Sequence, residues 1–464
     1  MPGVRSRRGR WCGRIPMSRQ AVSDPRVLAF RVLRSVDEDD AYANLALASA
    51  IRESGLSSRD AAFATELVAG SLRRRGSYEA ILTSLVSRPL DAPVRDVLVL
   101  GAHQLLSMRV PQHAAVATSV ALARGEVGHR VTGLVNAVLR KVGQRSLQEW
   151  LDALDADLSV RSSHPAWIVD ALAEAYGSDP TPLLAADNEP PRVCLVARPG
   201  LTTVEELLEI EGASRHPASP IGVEIGGGDP ATIAAVRESR AGVQDAGSQV
   251  IALALAGAEV DAPGPERWLD LCAGPGGKAS LLGALAAQRG AFVLANERAP
   301  HRAELVGKAM RALPAGHVAV IAGDGTAPAW RPGTFDRVLV DAPCSGLGAL
   351  RRRPESRWRR QPSDIVGLVP LQRALLAEAI EATRPGGVIA YATCSPVLAE
   401  TVEVVRAVMS DRGDVLLESA PALAPWLQDA ACAAMPEAMQ LWPHVHRTDA
   451  MFLAVLRRVS PDTR

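Results

Sequence analysis

The stretch Trp268–Ser280 constrains the chain more than any other, because an apolar run ends there in a cluster of glycines. The run Trp-Leu-Asp-Leu-Cys-Ala predicts a buried strand, and the following Gly-Pro-Gly-Gly-Lys predicts a tight turn into a helix near Gly277. Glycine lets the backbone approach a ligand, and a helix N-terminus offers unpaired N–H groups. The turn is not a Walker A loop, since Cys272 and Ala279 replace residues that this loop requires. We predict a nucleotide-type site; a purely structural turn is the alternative.

Composition limits the partners and the compartment. The 464 residues are 47% hydrophobic and 22% charged, which suits a globular protein with several domains. The sequence lacks an apolar run of about 18 residues and an apolar segment behind the N-terminal arginines, so we expect neither a membrane span nor secretion, but a cytoplasmic location. Six cysteines without a C-x-x-C pair predict free thiols and no metal. Because the net charge is zero, an RNA partner must be argued from local basic patches.

The N-terminal third is predicted to be helical. The first 20 residues carry six arginines and no acidic residue, so residues 1–23 are predicted to form a disordered basic tail. Residues 24–150 show apolar side chains at helical spacing, most clearly between positions 131 and 139. Gly76 is predicted to end one of the helices. The arginines at 73–75 are interpreted either as a solvated helix end or as phosphate contacts.

Residues 160–260 carry a mixed pattern. His164-Pro165 predicts the start of a helix that ends at Gly177, and the apolar segment 193–197 predicts a strand. This part of the chain therefore forms a small α+β module in the prediction.

Strand and helix patterns alternate over residues 261–460, including a helix predicted at 370–383. Such alternation predicts a parallel sheet with helices on both faces, and ligands bind these sheets at the carboxyl ends of the strands. Glu297, Asp324 and Asp341 are each predicted at such an end. The carboxylate of Glu297 is placed to accept hydrogen bonds from ribose hydroxyls, and that of Asp324 is placed to reach an adenine edge. The alternative for each acid is that it caps a helix.

Two cysteines follow predicted strands of this sheet. Cys344 lies in Asp-Ala-Pro-Cys-Ser-Gly and Cys394 lies in Tyr-Ala-Thr-Cys-Ser-Pro. A lone cysteine is usually a small buried apolar residue, but two at strand ends, each followed by serine, indicate reactive thiols.

A basic segment follows Cys344. Clustered arginines beside an aromatic side chain favour phosphate contacts and stacking with an unpaired base over a solvated loop. The residues predicted to contact RNA are Arg351, Arg352, Arg353, Arg357 and Trp358.

Three segments of the helical region resemble the NusB-type RNA-binding domain, namely Leu100–Leu106, Val110–Val116 and Gly133–Arg140. Residues 160–260 resemble the small module, similar to an RNA-recognition motif, that precedes the catalytic domain of RNA cytosine methyltransferases. The resemblance implies a multidomain fold: an all-α NusB-like bundle, an α+β module and an α/β Rossmann-like class I methyltransferase domain. It also implies RNA as a partner.

The motifs Gly274–Lys278, Asp341–Cys344 and Ala392–Ser395 resemble those of the Nop/Sun family of RNA cytosine-5 methyltransferases. The chain departs from the usual glycines of that family at Arg447 and Ala450. The resemblance implies S-adenosylmethionine as the methyl donor, without a metal. The residues that it implies for binding this cofactor are Cys272, Ala273, Gly274, Pro275, Gly276, Gly277, Lys278, Glu297, Asp324 and Asp341.

The chemistry of cytosine explains why such an enzyme needs a thiol. Carbon 5 is too weak a nucleophile to attack a sulfonium methyl group, whereas a thiolate adding at carbon 6 produces an enamine that can. The resemblance assigns this attack to Cys394 and product release to Cys344. Asp341 is the candidate for a proton or hydrogen bond at ring N3, or it only positions the cofactor. Spacing alone leaves the two cysteines interchangeable, because DNA cytosine-5 methyltransferases use a Pro-Cys pair such as the one at 343–344.

The function implied is methylation of carbon 5 of a cytosine in 16S ribosomal RNA by a cytoplasmic monomer. Two alternatives stay open at this point. One is the same chemistry on another RNA, and the other is a catalytically silent RNA-binding scaffold built on the NusB-like domain.

Overall fold

The computed structural model describes residues 23–39 and 41–460 of the chain. The tail predicted for residues 1–23 lies outside the described residues, apart from Ser23. The chain divides into two compact units, the first ending at Trp150 and the second beginning at Leu151.

The first unit is helical throughout its described residues, as predicted. Its central helix buries every side chain from Asp96 to Gln104. A Cβ atom at Gly101 would lie 2.6 Å from the Leu139 side chain, so glycine permits two helices to pack closely there. The helices are α1 (Pro25–Glu38), α2 (Ala43–Ser54), α3 (Ser58–Arg73), α4 (Arg75–Leu85), α5 (Ala92–Leu106), α6 (Gln112–Glu126), α7 (Thr132–Val142) and α8 (Leu147–Ala153), the last of which continues into the second unit.

The break between α3 and α4 differs from the prediction. The chain turns at Arg74, whose φ of −106° needs no glycine, and Gly76 lies in the first turn of α4. The prediction that Gly76 ends a helix was therefore wrong. Arg73 is 5% exposed, and Arg75 donates to Asp37 at 2.8 and 3.0 Å. Neither guanidinium forms a fully solvated helix end.

The second unit begins with short helices and a four-stranded antiparallel sheet. The strands lie in the order β2-β3-β1-β4, and the last helix of this region is almost entirely apolar and buried. The elements are α9 (Leu158–Ser162), α10 (Ala166–Tyr176), α11 (Thr181–Asp187), β1 (Val193–Ala197), α12 (Val204–Leu208), β2 (Ser214–Arg215), β3 (Gly222–Ile225), α13 (Ala234–Arg237), β4 (Ala241–Val243) and α14 (Ala246–Gly257).

A nine-stranded mixed sheet forms the rest of this unit. Its strands lie in the order β11-β12-β13-β9-β8-β5-β6-β7, with β10 beside β13. The elements are β5 (Arg267–Asp270), α15 (Gly277–Ala287), β6 (Phe292–Glu297), α16 (Pro300–Met310), β7 (Val318–Ala322), β8 (Phe335–Asp341), α17 (Ser356–Arg359), α18 (Pro362–Ala382), β9 (Thr383–Thr393), α19 (Val402–Ser410), β10 (Val415–Glu418), β11 (Ala431–Cys432), β12 (Met435–Gln440), α20 (Pro443–His446) and β13 (Phe452–Arg458).

The predicted parallel sheet is confirmed for five strands, β9, β8, β5, β6 and β7. The pairs that involve β10 to β13 are antiparallel and extend the sheet beyond β9. Apolar clusters cover the sheet, one built around α14 and α15 and another around α18 and α19. This fold is the Rossmann-like α/β architecture that the resemblance implied.

Helix α18 begins earlier than predicted. Its first residue is Pro362, and Gln361 and Asp364 form a capping box in front of it. Pro370 lies inside the helix rather than at its start. The prediction relied on the preference of proline for the first turn, but the helix starts eight residues before Pro370, at Pro362, where the capping box lies.

Candidate active site

The glycine turn between β5 and α15 packs closely against α16. Gly276 has a φ of 112°, a conformation that L side chains rarely adopt. A Cβ atom there would lie 2.9 Å from the Ala309 Cβ and 3.0 Å from the Val306 Cα. The backbone N–H of Gly274 donates to the carboxylate of Glu297 at 3.0 Å. Glycine is therefore required where the turn meets α16.

Two of the predicted acids lie at the ends of β6 and β7. Glu297 is buried and also accepts a hydrogen bond from the Ala299 N–H at 2.9 Å. Asp324 accepts from the Thr326 N–H at 3.0 Å and from its hydroxyl at 2.7 Å, and these bonds lower the pKa of Asp324. Neither acid caps a helix, the alternative from the sequence: Ala299 is the N-cap of α16, and no described helix begins between Asp324 and β8. A carboxylate has about four acceptor positions, so both retain acceptor capacity.

Lys278 and Asp341 form an ion pair at the same edge of the sheet. The distance between Lys278 Nζ and Asp341 Oδ2 is 2.8 Å, and the lysine side chain is 9% exposed. Burial opposes the charge on Lys278, but the carboxylate of Asp341 outweighs it, so the pKa of Lys278 is raised. The pair carries a positive and a negative group next to the ends of β5 and β8.

Asp270 is a further acid of this site that the sequence analysis did not single out. It is the last residue of β5 and is fully buried. Burial, with a further contribution from Asp341, raises the pKa of Asp270 to about 8. Asp270 is therefore mostly protonated at neutral pH. The available signal was an acid inside the otherwise apolar run Trp-Leu-Asp-Leu.

The two predicted cysteines lie together, with 3.4 Å between Cys344 Sγ and Cys394 Sγ. The hydrogen bond from Cys344, helped by the positive charges of Lys278 and Arg353, lowers the pKa of Cys394 despite its burial. The same hydrogen bond and burial raise the pKa of Cys344. The surroundings therefore favour the thiolate at Cys394 over the thiolate at Cys344.

The segments that carry the cysteines are joined by backbone hydrogen bonds. The Gly348 N–H donates to the Cys394 carbonyl at 2.9 Å, and the Ala450 N–H donates to the Gly348 carbonyl at 2.8 Å. A Cβ atom at Gly348 would lie 2.0 Å from the Ala450 oxygen, so only glycine fits. Ala450 contributes its backbone, which explains why alanine is tolerated there. Arg447, the other departure from the family pattern, has a φ of 61° and donates to Glu224 at 2.6 Å.

The basic segment is mostly turned inward, which corrects part of the RNA-contact prediction. Arg351 is 9% exposed, and it donates to Asp449 and Asp245, each at 3.0 Å. Arg352 donates to Asp245 at 2.6 Å and to Asp449 at 3.0 Å. These two arginines neutralise buried carboxylates of the second unit, so their guanidinium groups are not available to phosphates as predicted.

Arg357 is buried completely. Its guanidinium donates to the Asp187 carbonyl and to the Asn188 side chain, each at 2.7 Å. The predicted RNA contact from Arg357 is therefore wrong, because no part of that side chain reaches the surface. Arg353 is exposed and Trp358 is half-buried, so for these two residues the RNA contact stays a prediction.

Over the described parts of the chain, no helix has the length and apolar character needed to cross a membrane. Within those same residues, no group of three or more His, Cys, Asp or Glu side chains is arranged to hold a metal ion.

Comparison with known families finds one family in each unit of the fold. The model of the family described as 16S rRNA methyltransferase RsmB/F matches residues 259–457, and that of the NusB family matches residues 23–144. A putative methyltransferase of Mycobacterium tuberculosis is 46% identical, with 95% of this chain and 98% of that protein covered. A probable ribosomal RNA small subunit methyltransferase B of Synechocystis is 31% identical, with 93% and 99% covered.

Solved structures share the fold. A protein named PH0851 matches with a TM-score of 0.76 at 20% identity, covering 96% of this chain and 100% of that one. NSun6 from Pyrococcus horikoshii, solved with SFG, matches with a TM-score of 0.55 at 17% identity, covering 64% and 98%.

Proposed function

The chain belongs to the RsmB/F family of ribosomal RNA small subunit methyltransferases, and from this premise we propose that it methylates carbon 5 of a cytosine in 16S ribosomal RNA. Membership of the family makes it an S-adenosylmethionine-dependent RNA methyltransferase. The position on the base, the covalent route and the roles of individual residues are the content of the proposal. The observation that carries them is the 3.4 Å contact between the two thiols beside Lys278 and Asp341.

The residues at the strand ends fit S-adenosylmethionine. The glycine turn leaves no room for side chains at positions 274 and 276, and acceptors follow it at Glu297 and Asp324. A backbone turn followed by carboxylates on neighbouring strands suits the ribose and adenine of a nucleoside. NSun6, which shares the fold, was solved with SFG, an analogue of this cofactor. When bound, S-adenosylmethionine would supply an electrophilic methyl group on its sulfonium.

Cys394 is the proposed nucleophile, because its lowered pKa favours the thiolate that must attack. The thiolate forms a bond to carbon 6 of the cytosine, and the electron pair of the ring double bond moves to carbon 5, which takes the methyl group. A base, water in the pocket, then accepts the proton from carbon 5, and the electron pair of that bond re-forms the ring double bond and expels the Cys394 sulfur, to which Cys344 can donate a proton. Cys344 is proposed to assist this release, since its raised pKa keeps it protonated in the resting enzyme.

The ion pair of Lys278 and Asp341 is proposed to hold the base during addition. Charge develops on the pyrimidine ring when the thiolate attacks, and a positioned hydrogen-bond network stabilises that charge. Asp341 is proposed to reach ring N3 and to share with it a proton that comes from solvent, while Lys278 keeps its charge. The same positive charge of Lys278 also favours the Cys394 thiolate.

RNA binding is proposed for the NusB-like unit and for Arg353 and Trp358. An exposed arginine close in sequence to Cys344 suits a phosphate, and the indole suits stacking with a base that has left the helix. Action as a monomer on RNA in the cytoplasm belongs to the same proposal.

Two measurements test the function. Bisulfite sequencing of 16S ribosomal RNA from a strain without the gene should reveal one cytosine that has lost its methyl group. The purified protein should restore that mark when it is given the unmethylated RNA and S-adenosylmethionine. If the methyl group is lost from another RNA instead, that RNA is the substrate. If the protein does not bind the cofactor in calorimetry, the scaffold alternative is favoured.

A further inference from the structure

Glu400 is a buried carboxylate that contacts the residue following each of the two cysteines. It closes a short helical turn between β9 and α19 and has no exposed surface. Among the described residues, its charge is held by hydrogen bonds rather than by an ion pair. A carboxylate that leaves water without a cationic partner is costly unless its oxygens are well hydrogen-bonded. The burial of this carboxylate therefore suggests that its hydrogen bonds serve a structural purpose.

The hydrogen bonds of Glu400 reach the residue that follows each cysteine. Its Oε1 accepts from the Ser345 N–H at 2.7 Å, and its Oε2 accepts from the Ser345 hydroxyl at 2.5 Å. The Oε2 atom also accepts from the Ser395 hydroxyl at 2.6 Å. One carboxylate thus binds the segment after β8 and the segment after β9 at the positions next to Cys344 and Cys394.

Two further contacts fix this carboxylate in the fold. Gln372 of α18 donates through its amide nitrogen to Glu400 at 3.1 Å and to the Pro343 carbonyl at 2.9 Å. The Tyr391 hydroxyl donates to the Glu400 carbonyl at 2.7 Å. The side chain and the backbone of Glu400 are therefore both held, so it offers a rigid reference point for the two loops.

We propose that Glu400 is a positioning residue that sets the distance between the two reactive thiols by binding the serine after each of them. This role rests on the proposed function of the cysteines. The two loops are also joined by the Ser345 hydroxyl, which lies 3.1 Å from that of Ser395, and by the Gly348 N–H, which donates to the Cys394 carbonyl. Glu400 binds both serines at once, so without it the positions next to the cysteines lose a shared anchor. The 3.4 Å sulfur contact, which lowers the pKa of Cys394, should then lengthen.

The test is the pH dependence of alkylation of Cys394 by iodoacetamide, followed by mass spectrometry of its peptide. The groups that face this thiol are Cys344, Asp341, Lys278 and Arg353. Removing a nearby negative charge would by itself lower thiol pKa values, whereas losing the donor Cys344 raises that of Cys394. Glu400→Gln should therefore move the alkylation midpoint upward. A downward or unchanged midpoint in the folded variant contradicts the proposal.

A second variant covers the case in which Glu400→Gln does not fold. Ser345→Ala combined with Ser395→Ala keeps the buried charge and removes both hydroxyl donors, and it should shift the midpoint upward as well. Glu403→Gln, an exposed glutamate in the first turn of α19, is the matched control and should leave the midpoint unchanged. An unchanged midpoint in the double serine variant overturns the proposal even if Glu400→Gln is insoluble.

Methylation separates this inference from the proposed function. With the two thiols misplaced by about 1 Å, the rate of methyl transfer should fall by roughly 100-fold, while the affinity for S-adenosylmethionine stays as in the native protein. If the native protein does not methylate cytosine but Glu400→Gln still shifts the alkylation midpoint, the function is refuted and the positioning role stands.

Discussion

Cys344 Sγ lies 3.4 Å from Cys394 Sγ, and the two residues leave neighbouring parallel strands, β8 and β9. Adjacent strand ends meet at one edge of the sheet, so residues far apart in sequence come within hydrogen-bond distance. Either sulfur can be the donor of this contact, but the surroundings differ: the contact and the charges of Lys278 and Arg353 lower the pKa of Cys394, whereas the contact and burial raise that of Cys344.

The two thiols should fail differently when each is replaced by alanine. Cys394→Ala should give neither methylated RNA nor a covalent RNA adduct, because addition at carbon 6 cannot occur. Cys344→Ala should still form the adduct but release it slowly, leaving RNA on Cys394 in a denaturant-resistant complex that requires the cofactor. A denaturing gel reads out both. An adduct in the Cys394 variant, or none in the Cys344 variant, would reverse the assignment.

Lys278 should set the acidic limb of the pH–rate profile. Its charge lowers the pKa of Cys394, so the thiolate forms at lower pH than for an ordinary thiol. Lys278→Gln should raise that pKa, and the rise of kcat/KM with pH should move to higher pH. Lys308→Gln, at an exposed position on α16, is the matched control. Identical pH–rate profiles for the native protein and Lys278→Gln would show that the lysine does not control the ionisation of Cys394.

Much of the site could be predicted because its signals are local. A glycine turn after an apolar strand, and acids or cysteines after later strands, are visible within a few residues of sequence. Parallel strands then bring these ends together without further information. The positions of Lys278, Asp341, Cys344 and Cys394 follow from this rule.

Other features could not be predicted because they depend on partners distant in the chain. Arg351 resembles a surface arginine in sequence, but its partners Asp245 and Asp449 come from other parts of the second unit. Glu400 is one acid in an ordinary helical segment, and nothing nearby reveals that it binds Ser345. The antiparallel edge of the sheet is also non-local, since β10 pairs with β13.

The glycine turn should tolerate no side chain at Gly276. Gly276→Val places a β-branched residue at a φ of 112° and against α16, which costs about 1–3 kcal/mol of backbone strain and opens the turn. Calorimetry should show loss of S-adenosylmethionine binding, with circular dichroism close to that of the native protein. Gly307→Ala lies in open space on α16 and should bind normally. If Gly276→Val binds S-adenosylmethionine with the native affinity, the glycine turn is not part of the cofactor site.

Arg357 and Arg353 should separate stability from RNA binding. Arg357→Ala leaves buried acceptors without their charged donor and should lower the free energy of unfolding by roughly 3 kcal/mol. It should not change the salt dependence of RNA affinity in the folded fraction. Arg353→Ala should lower the free energy of unfolding less than Arg357→Ala, because its side chain is exposed, and should reduce the slope of log affinity against log salt by about 1. The opposite pattern would restore the prediction that Arg357 contacts phosphate.

Asp270 should make the protein less stable as the pH rises. Its pKa is about 8 in the folded state and about 3.9 when unfolded, so between these values the folded state binds the additional proton. This proton contributes its full share to the free energy of unfolding below the pKa of the unfolded state. As the pH rises from there toward the pKa of the folded state, the contribution falls by about 1.4 kcal/mol per pH unit. Asp270→Asn has a similar shape and no titration, so it should remove this decline. Urea midpoints at pH 5.5 and pH 8 should fall closer together in the variant than in the native protein. Equal differences in both proteins would mean that Asp270 is ionised in the fold.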